Sequence, residues 1–175
     1  MYGKIIINIS AILFVAMCQI AFVAGLPDIF NRINIAVIVL VFILSFSNLR
    51  LALYWALLLG IVIDVYSFFV FGTYLLLFLI VTLCAYFLFI NFFTNRSLYS
   101  LVALSILSSI LFKLLLFFSS FLVYSFGLKD YFLQIDLQRE LKTVVVESLL
   151  AVLFFYFFNY VNKNSRFEFL SRYKI

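Results

Sequence analysis

Apolar residues run along this chain in long unbroken blocks, without the alternation of a half-buried strand or the narrow stripe of a surface helix. A helix needs about 20 apolar residues to cross a bilayer. Six blocks approach that length: about Ile5–Leu26, Ile33–Ser47, Leu51–Phe71, Thr73–Phe93, Leu98–Phe126 and Thr143–Val161. Pro27-Asp28, Asn48-Leu49-Arg50, Gly72 and Thr94-Asn95-Arg96-Ser97 punctuate them. The second block is short unless Asn31 to Asn34 add a turn. The first is too long for a cleavable signal peptide, with one Lys before it and no clear small-residue cleavage pair. The pattern therefore predicts an all-α integral membrane protein. It would be a polytopic bundle of six transmembrane helices forming a single domain over residues 1–175, with a short basic tail at 162–175.

The stretch from Gly127 to Lys142 is the one sizeable polar connection. Leu128, Tyr131, Phe132 and Ile135 recur in it at helical spacing. Two readings fit: a helix lying along the membrane surface, or an outward extension of the sixth span.

Composition narrows the class. Hydrophobic residues make up 68% and charged residues 11%, against roughly 45–50% and 25% in soluble domains. A soluble globule of this size would expose sheets of Phe, Leu and Ile to water, so a soluble enzyme is excluded. The chain has no histidine, which removes a Ser-His hydrolase site, a His-ligated haem and an ordinary zinc site. Cys18 and Cys84 lie inside apolar runs and read as small hydrophobes. No cofactor or metal set is expected, and no nucleophile–base pair for an intramembrane enzyme.

The net charge is +5. Its basic residues are scattered between the spans, which points to membrane topology and away from nucleic acid. With the N-terminus inside, seven basic residues fall on the cytoplasmic side (Lys4, Arg50, Arg96, Lys163, Arg166, Arg172, Lys174) and four outside (Arg32, Lys129, Arg139, Lys142). The acids Asp28, Asp130, Asp136 and Glu140 gather on the outer side. Both termini are expected in the cytoplasm.

Two charges interrupt the apolar blocks, Asp64 in the third and Lys113 in the fifth. An ionisable group in hydrocarbon costs several kcal/mol unless paired. At 1.5 Å per residue both lie roughly 20–22 Å from the cytoplasmic ends of their helices, so an Asp64–Lys113 pair is expected. Each sits on a polar or small stripe: Gly60, Asp64 and Ser67 on one helix, Ser109, Lys113, Ser120 and Tyr124 on the other. Such faces turn toward other helices. A rival stripe of Asp136, Glu140, Thr143 and Glu147 opens the sixth span, so Glu147 is an alternative partner for Lys113.

Leu26-Pro27-Asp28-Ile29 follows the first block. The third reads Gly60-Ile61-Val62-Ile63-Asp64-Val65-Tyr66-Ser67, and Phe71-Gly72 opens the fourth. This G-x-x-x-D-x-x-S…F-G arrangement after a Pro-Asp, with Gln19 late in the first span, resembles the bacterial rod shape-determining protein MreD family. The resemblance covers most of Ile5–Phe93, and it makes Pro27, Asp28, Gly60, Asp64, Ser67 and Gly72 the motif residues. It implies a non-catalytic component of the bacterial inner membrane within the cell-elongation machinery. Its partner would be an MreC-like membrane protein and, through it, MreB, RodA and a penicillin-binding transpeptidase. The rival class is a small-molecule carrier, such as the substrate-binding membrane subunit of an energy-coupling-factor vitamin transporter. Asp64, Ser67, Tyr124 and Glu147 would be its possible lining.

Overall fold

The computed structural model describes residues 2–23, 25–26, 30–67, 69–92, 98–125 and 137–164. Pro27, Asp28, Asp136, most of the 127–142 connection and the tail beyond Asn164 lie outside the described residues. Among the described residues six α-helices follow one another: α1 (Tyr2–Met17), α2 (Ile35–Phe46), α3 (Leu49–Tyr66), α4 (Thr73–Asn91), α5 (Leu98–Ser125) and α6 (Leu137–Asn164). A π-helical segment, Cys18–Val23, prolongs α1, and a 3-10 turn, Phe30–Arg32, precedes α2. Among the described residues three helices, α3, α4 and α5, are long and apolar enough to cross a membrane.

The short α2 is the heart of the bundle. It has 12 residues, and Ala36, Val37, Ile38, Leu40, Val41, Leu44 and Ser45 are buried. It packs on α3, α4 and α5, while α3 packs on α1 and α4, and α5 on α4 and α6. Ile12, Ala16, Val37, Leu59, Phe78 and Phe112 meet in the main core cluster. Large apolar side chains cover the outside, among them Phe14, Leu76, Phe87, Leu114, Phe118 and Leu153. An apolar exterior over a buried helix core suits a bundle solvated by lipid.

The α5 helix approaches its neighbours through small polar residues: Ser100, Ser105, Ser108, Ser109 and Ser120 are all buried. Ser105 donates to the Val102 carbonyl at 2.8 Å, returning its hydroxyl to its own helix. Backbones also approach closely where α3 meets α4. A Cβ on Gly60 would stand 2.5 Å from the Leu75 Cα, so only glycine fits there.

Three boundaries differ from the hydropathy pattern. The third block was expected to stay helical to Phe71, but α3 stops at Tyr66 and Ser67 is extended (φ −85°, ψ 152°). Phe69 to Phe71 lead through a turn into α4, whose N-cap Gly72 has φ +96°, a left-handed conformation that favours glycine. The second block contributes helix only over Ile35–Phe46. Asn34 stops it, its side-chain oxygen accepting from the Val37 N–H at 3.2 Å as an N-cap. The sixth helix begins at Leu137, ahead of the expected Thr143, so residues 137–142 continue α6 outward.

Candidate functional site: a buried charge chain beside an aromatic cavity

Asp64 ends α3 facing the start of α4. Its Oδ2 accepts from the backbone N–H of Gly72 at 3.1 Å and of Leu75 at 3.0 Å, and its Oδ1 from Tyr74 at 2.9 Å. The first amides of a helix have no partner within it and carry the positive end of its dipole. A carboxylate there satisfies three donors and is itself stabilised by them. The side chain is 3% exposed, so these bonds replace its hydration. The expected pairing of Asp64 with Lys113 is not formed. Asp64 is answered by backbone amides, and Lys113 turns the other way, to α6.

Lys113 meets the α6 stripe. Its ammonium donates to the Thr143 hydroxyl and lies 3.3 Å from Glu140 Oε2 and 3.5 Å from Glu147 Oε2. Thr143 in turn donates to the Glu140 carbonyl at 2.8 Å. Glu140 Oε1 is 2.7 Å from Arg32 Nη1. Glu147 Oε1 accepts from the Asn34 N–H at 2.9 Å, at the N-terminus of α2. Charges therefore alternate from rim to core: Arg32, Glu140, Lys113, Glu147 and the positive end of α2. Side-chain exposure falls in the same order, 36%, 20%, 18% and 2%, so each charge deeper in the protein is answered by its neighbours as water is lost.

Both buried carboxylates thus work alike. Asp64 holds the first turn of α4, and Glu147 holds the N-cap amide of α2 at Asn34. Gln19, from the π-helical segment, adds to the second junction. Its Oε1 accepts from Ile35 N–H at 2.8 Å and its Nε2 donates to the Ile33 carbonyl at 2.9 Å. Isolated π-helical turns recur at functional sites; here the turn presents an amide to an irregular backbone.

A cavity of about 570 Å³ adjoins these groups. Ile63, Phe69, Tyr74, Phe78, Phe112 and Leu116 form its apolar wall, and Gln19, Asn31, Arg32, Asn34, Lys113 and Glu140 its polar side. The aromatic rings interlock, Phe78 stacking on Phe112 at 5.3 Å and Phe69 meeting Tyr74 edge-on at 5.8 Å between centroids. Of the residues expected to line a carrier site, Ser67 reaches this cavity. Asp64 is held by α4, Glu147 lies behind Lys113, and Tyr124 is exposed near the far end of α5. Sequence reasoning missed Arg32 and Glu140 as partners, and Asn34 and Gln19 as junction residues. Glu140 shared a helical face with Glu147, which was the available signal; the contacts of Arg32 and Asn34 span more than a hundred residues and left none.

Apolar membrane-length helices, an apolar exterior and an interior charge chain that ties helix to helix define an integral membrane protein with a polar core. The family model for the rod shape-determining protein MreD matches residues 1–164, and the chain belongs to that family. Neither the curated proteins nor the solved structures give a match.

Proposed function

We propose that this chain is a non-catalytic inner-membrane component of the rod-shape machinery, where it helps scaffold side-wall peptidoglycan synthesis and so regulates cell shape. Its direct partner on this reading is an MreC-like membrane protein, which links it to MreB, RodA and a penicillin-binding transpeptidase. The observation that carries the reading is the family match over residues 1–164, which embraces all six described α-helices. The interior supports it physically. The two buried carboxylates accept helix-terminal amides, a use that fixes how helices meet and suits a rigid platform for other proteins.

The test is depletion in a rod-shaped host. Cells should become round and swollen, and re-expression should restore the rod. In parallel, affinity capture from gently solubilised membranes should recover the elongation proteins. Unchanged shape, together with lost uptake of a small nutrient and capture of an ATPase pair, would establish the carrier instead.

A further inference from the structure

We propose that the cavity bounded by the π-helical segment, the 3-10 turn, α3, α4, α5 and the start of α6 binds one membrane phospholipid, with its phosphate at Arg32 and one chain against the aromatic wall. The volume, about 570 Å³, is that of a small-molecule site, roughly 300–1,000 Å³, and less than a whole two-chain phospholipid fills. The cavity therefore takes the phosphate and part of one chain, while the rest of the lipid stays in the bilayer. Its lining is divided as an amphiphile is divided. The polar side is gathered at Asn31–Asn34 and Glu140, around the 3-10 turn and the start of α6. The apolar side is built by Tyr74, Phe78, Phe112 and Leu116, from α4 and α5, both of membrane length.

The headgroup chemistry follows from Arg32. Its guanidinium carries five N–H donors in a fork suited to phosphate. Among the described residues its one polar partner is Glu140, which engages Nη1. Arg32 is also half-exposed and lines the cavity, so donors remain for a second anionic oxygen. Lys113, by contrast, is taken up by Thr143, Glu140 and Glu147. An anion is therefore held at the rim by Arg32 and not at Lys113. The apolar wall gives nothing to a small inorganic anion, and it favours a ligand delivered with its own hydrocarbon.

The full chain, purified in detergent and stripped of lipid, is incubated with phosphatidylglycerol or with a short-chain water-soluble alkyl phosphate. Bound species are read by native mass spectrometry. One phosphatidylglycerol per chain is expected to be retained. Arg32→Gln should weaken that retention about tenfold, the size of one charge-assisted hydrogen bond. Leu116→Trp should fill the cavity and abolish it, whereas Leu107→Trp, which adds the same bulk on the exposed face of α5, should not. Equal retention by wild type, Arg32→Gln and Leu116→Trp would mean annular lipid and overturn the proposal. Preferential retention of the soluble phosphate would overturn the lipid as its source. Because the readout is binding, it stands apart from cell shape, and either reading can fail alone.

Discussion

Lys113 and Glu147 depend on one another in a way that a double substitution exposes. Lys113→Met leaves Glu147 buried without its cation, with the Asn34 N–H and the neighbouring Ser109 hydroxyl as the remaining compensation. Orphaning one member of a buried pair costs about 3–5 kcal/mol. Glu147→Gln should cost less, because Glu140 still answers Lys113 and the glutamine oxygen still accepts from Asn34. The double substitution Lys113→Met/Glu147→Gln should be milder than Lys113→Met alone, since no orphan charge remains. Asp64→Asn should add independently of Lys113→Met, because Asp64 and Lys113 share no partner. Thermal midpoints of the detergent-solubilised variants, with the Asp64→Asn/Lys113→Met double included, read all five. A strictly additive Lys113–Glu147 pair, or strong coupling between Asp64 and Lys113, would contradict these contacts. Both charges were visible in the chain as interruptions of apolar blocks, and their depth could be counted. Depth gives height along a helix but not the direction a side chain faces across the bundle. A tally of charged side chains also omits backbone amides, and it is the amides of Gly72, Tyr74 and Leu75 that answer Asp64.

At the scale of elements, α3 and α4 form one unit, and Leu75 is its pivot. Its Cα faces Gly60 and its N–H donates to Asp64 at 3.0 Å. A methyl group at position 60 would meet backbone, which cannot rotate away, so Gly60→Ala pushes the helices apart and stretches that bond as well. Overpacking of this kind costs about 1–3 kcal/mol. At Gly72 a Cβ meets nothing within 4 Å, and the positive φ alone resists it, at about 1–2 kcal/mol for a left-handed residue. Gly60→Ala should therefore lower the yield of folded protein in membranes more than Gly72→Ala. The reverse order would show that the turn, and not the helix contact, limits folding. The apolar blocks mark α4 and α5 to within a residue or two, because Gly72 opens the one and the polar Thr94-Asn95-Arg96-Ser97 break separates the two. They misplace the end of α3 and the start of α6 for opposite reasons. Phe69, Val70 and Phe71 are apolar yet belong to a turn, while Leu137–Lys142 is polar yet helical. Hydropathy reports what solvates a side chain; a helix ends where its backbone bonds find other partners.

For the whole molecule, the question is how a helix as short as α2 fits a bundle of membrane-length helices. Its 12 residues rise about 18 Å, against a hydrocarbon thickness of about 30 Å. Non-helical backbone at membrane depth is tolerated where protein buries it or where it lines a cavity. The segment before α2 meets that condition: Glu147 accepts from its Asn34 amide and Gln19 donates to its Ile33 carbonyl. Gln19 and the Asn34 side chain take up the Ile35 and Val37 amides that open α2, and Asn31 to Asn34 border the cavity. The 3-10 turn, this capped segment and α2 can together complete one crossing. On that basis we predict six crossings with both termini in the cytoplasm, in keeping with seven basic residues on that side and four on the other. Reporter fusions at Met1 and Ile175 should both signal the inner side. In a background with Cys18 and Cys84 replaced by Ala, a cysteine at Asn48 should be labelled by a membrane-impermeant thiol reagent only after the cells are opened. One at Phe71 should be labelled in intact cells. Both positions are exposed, so failure to label would not reflect burial in the protein. Labelling of both in intact cells would place α2 and α3 on one side of the bilayer, and the capped segment would then be a surface feature with no crossing to complete.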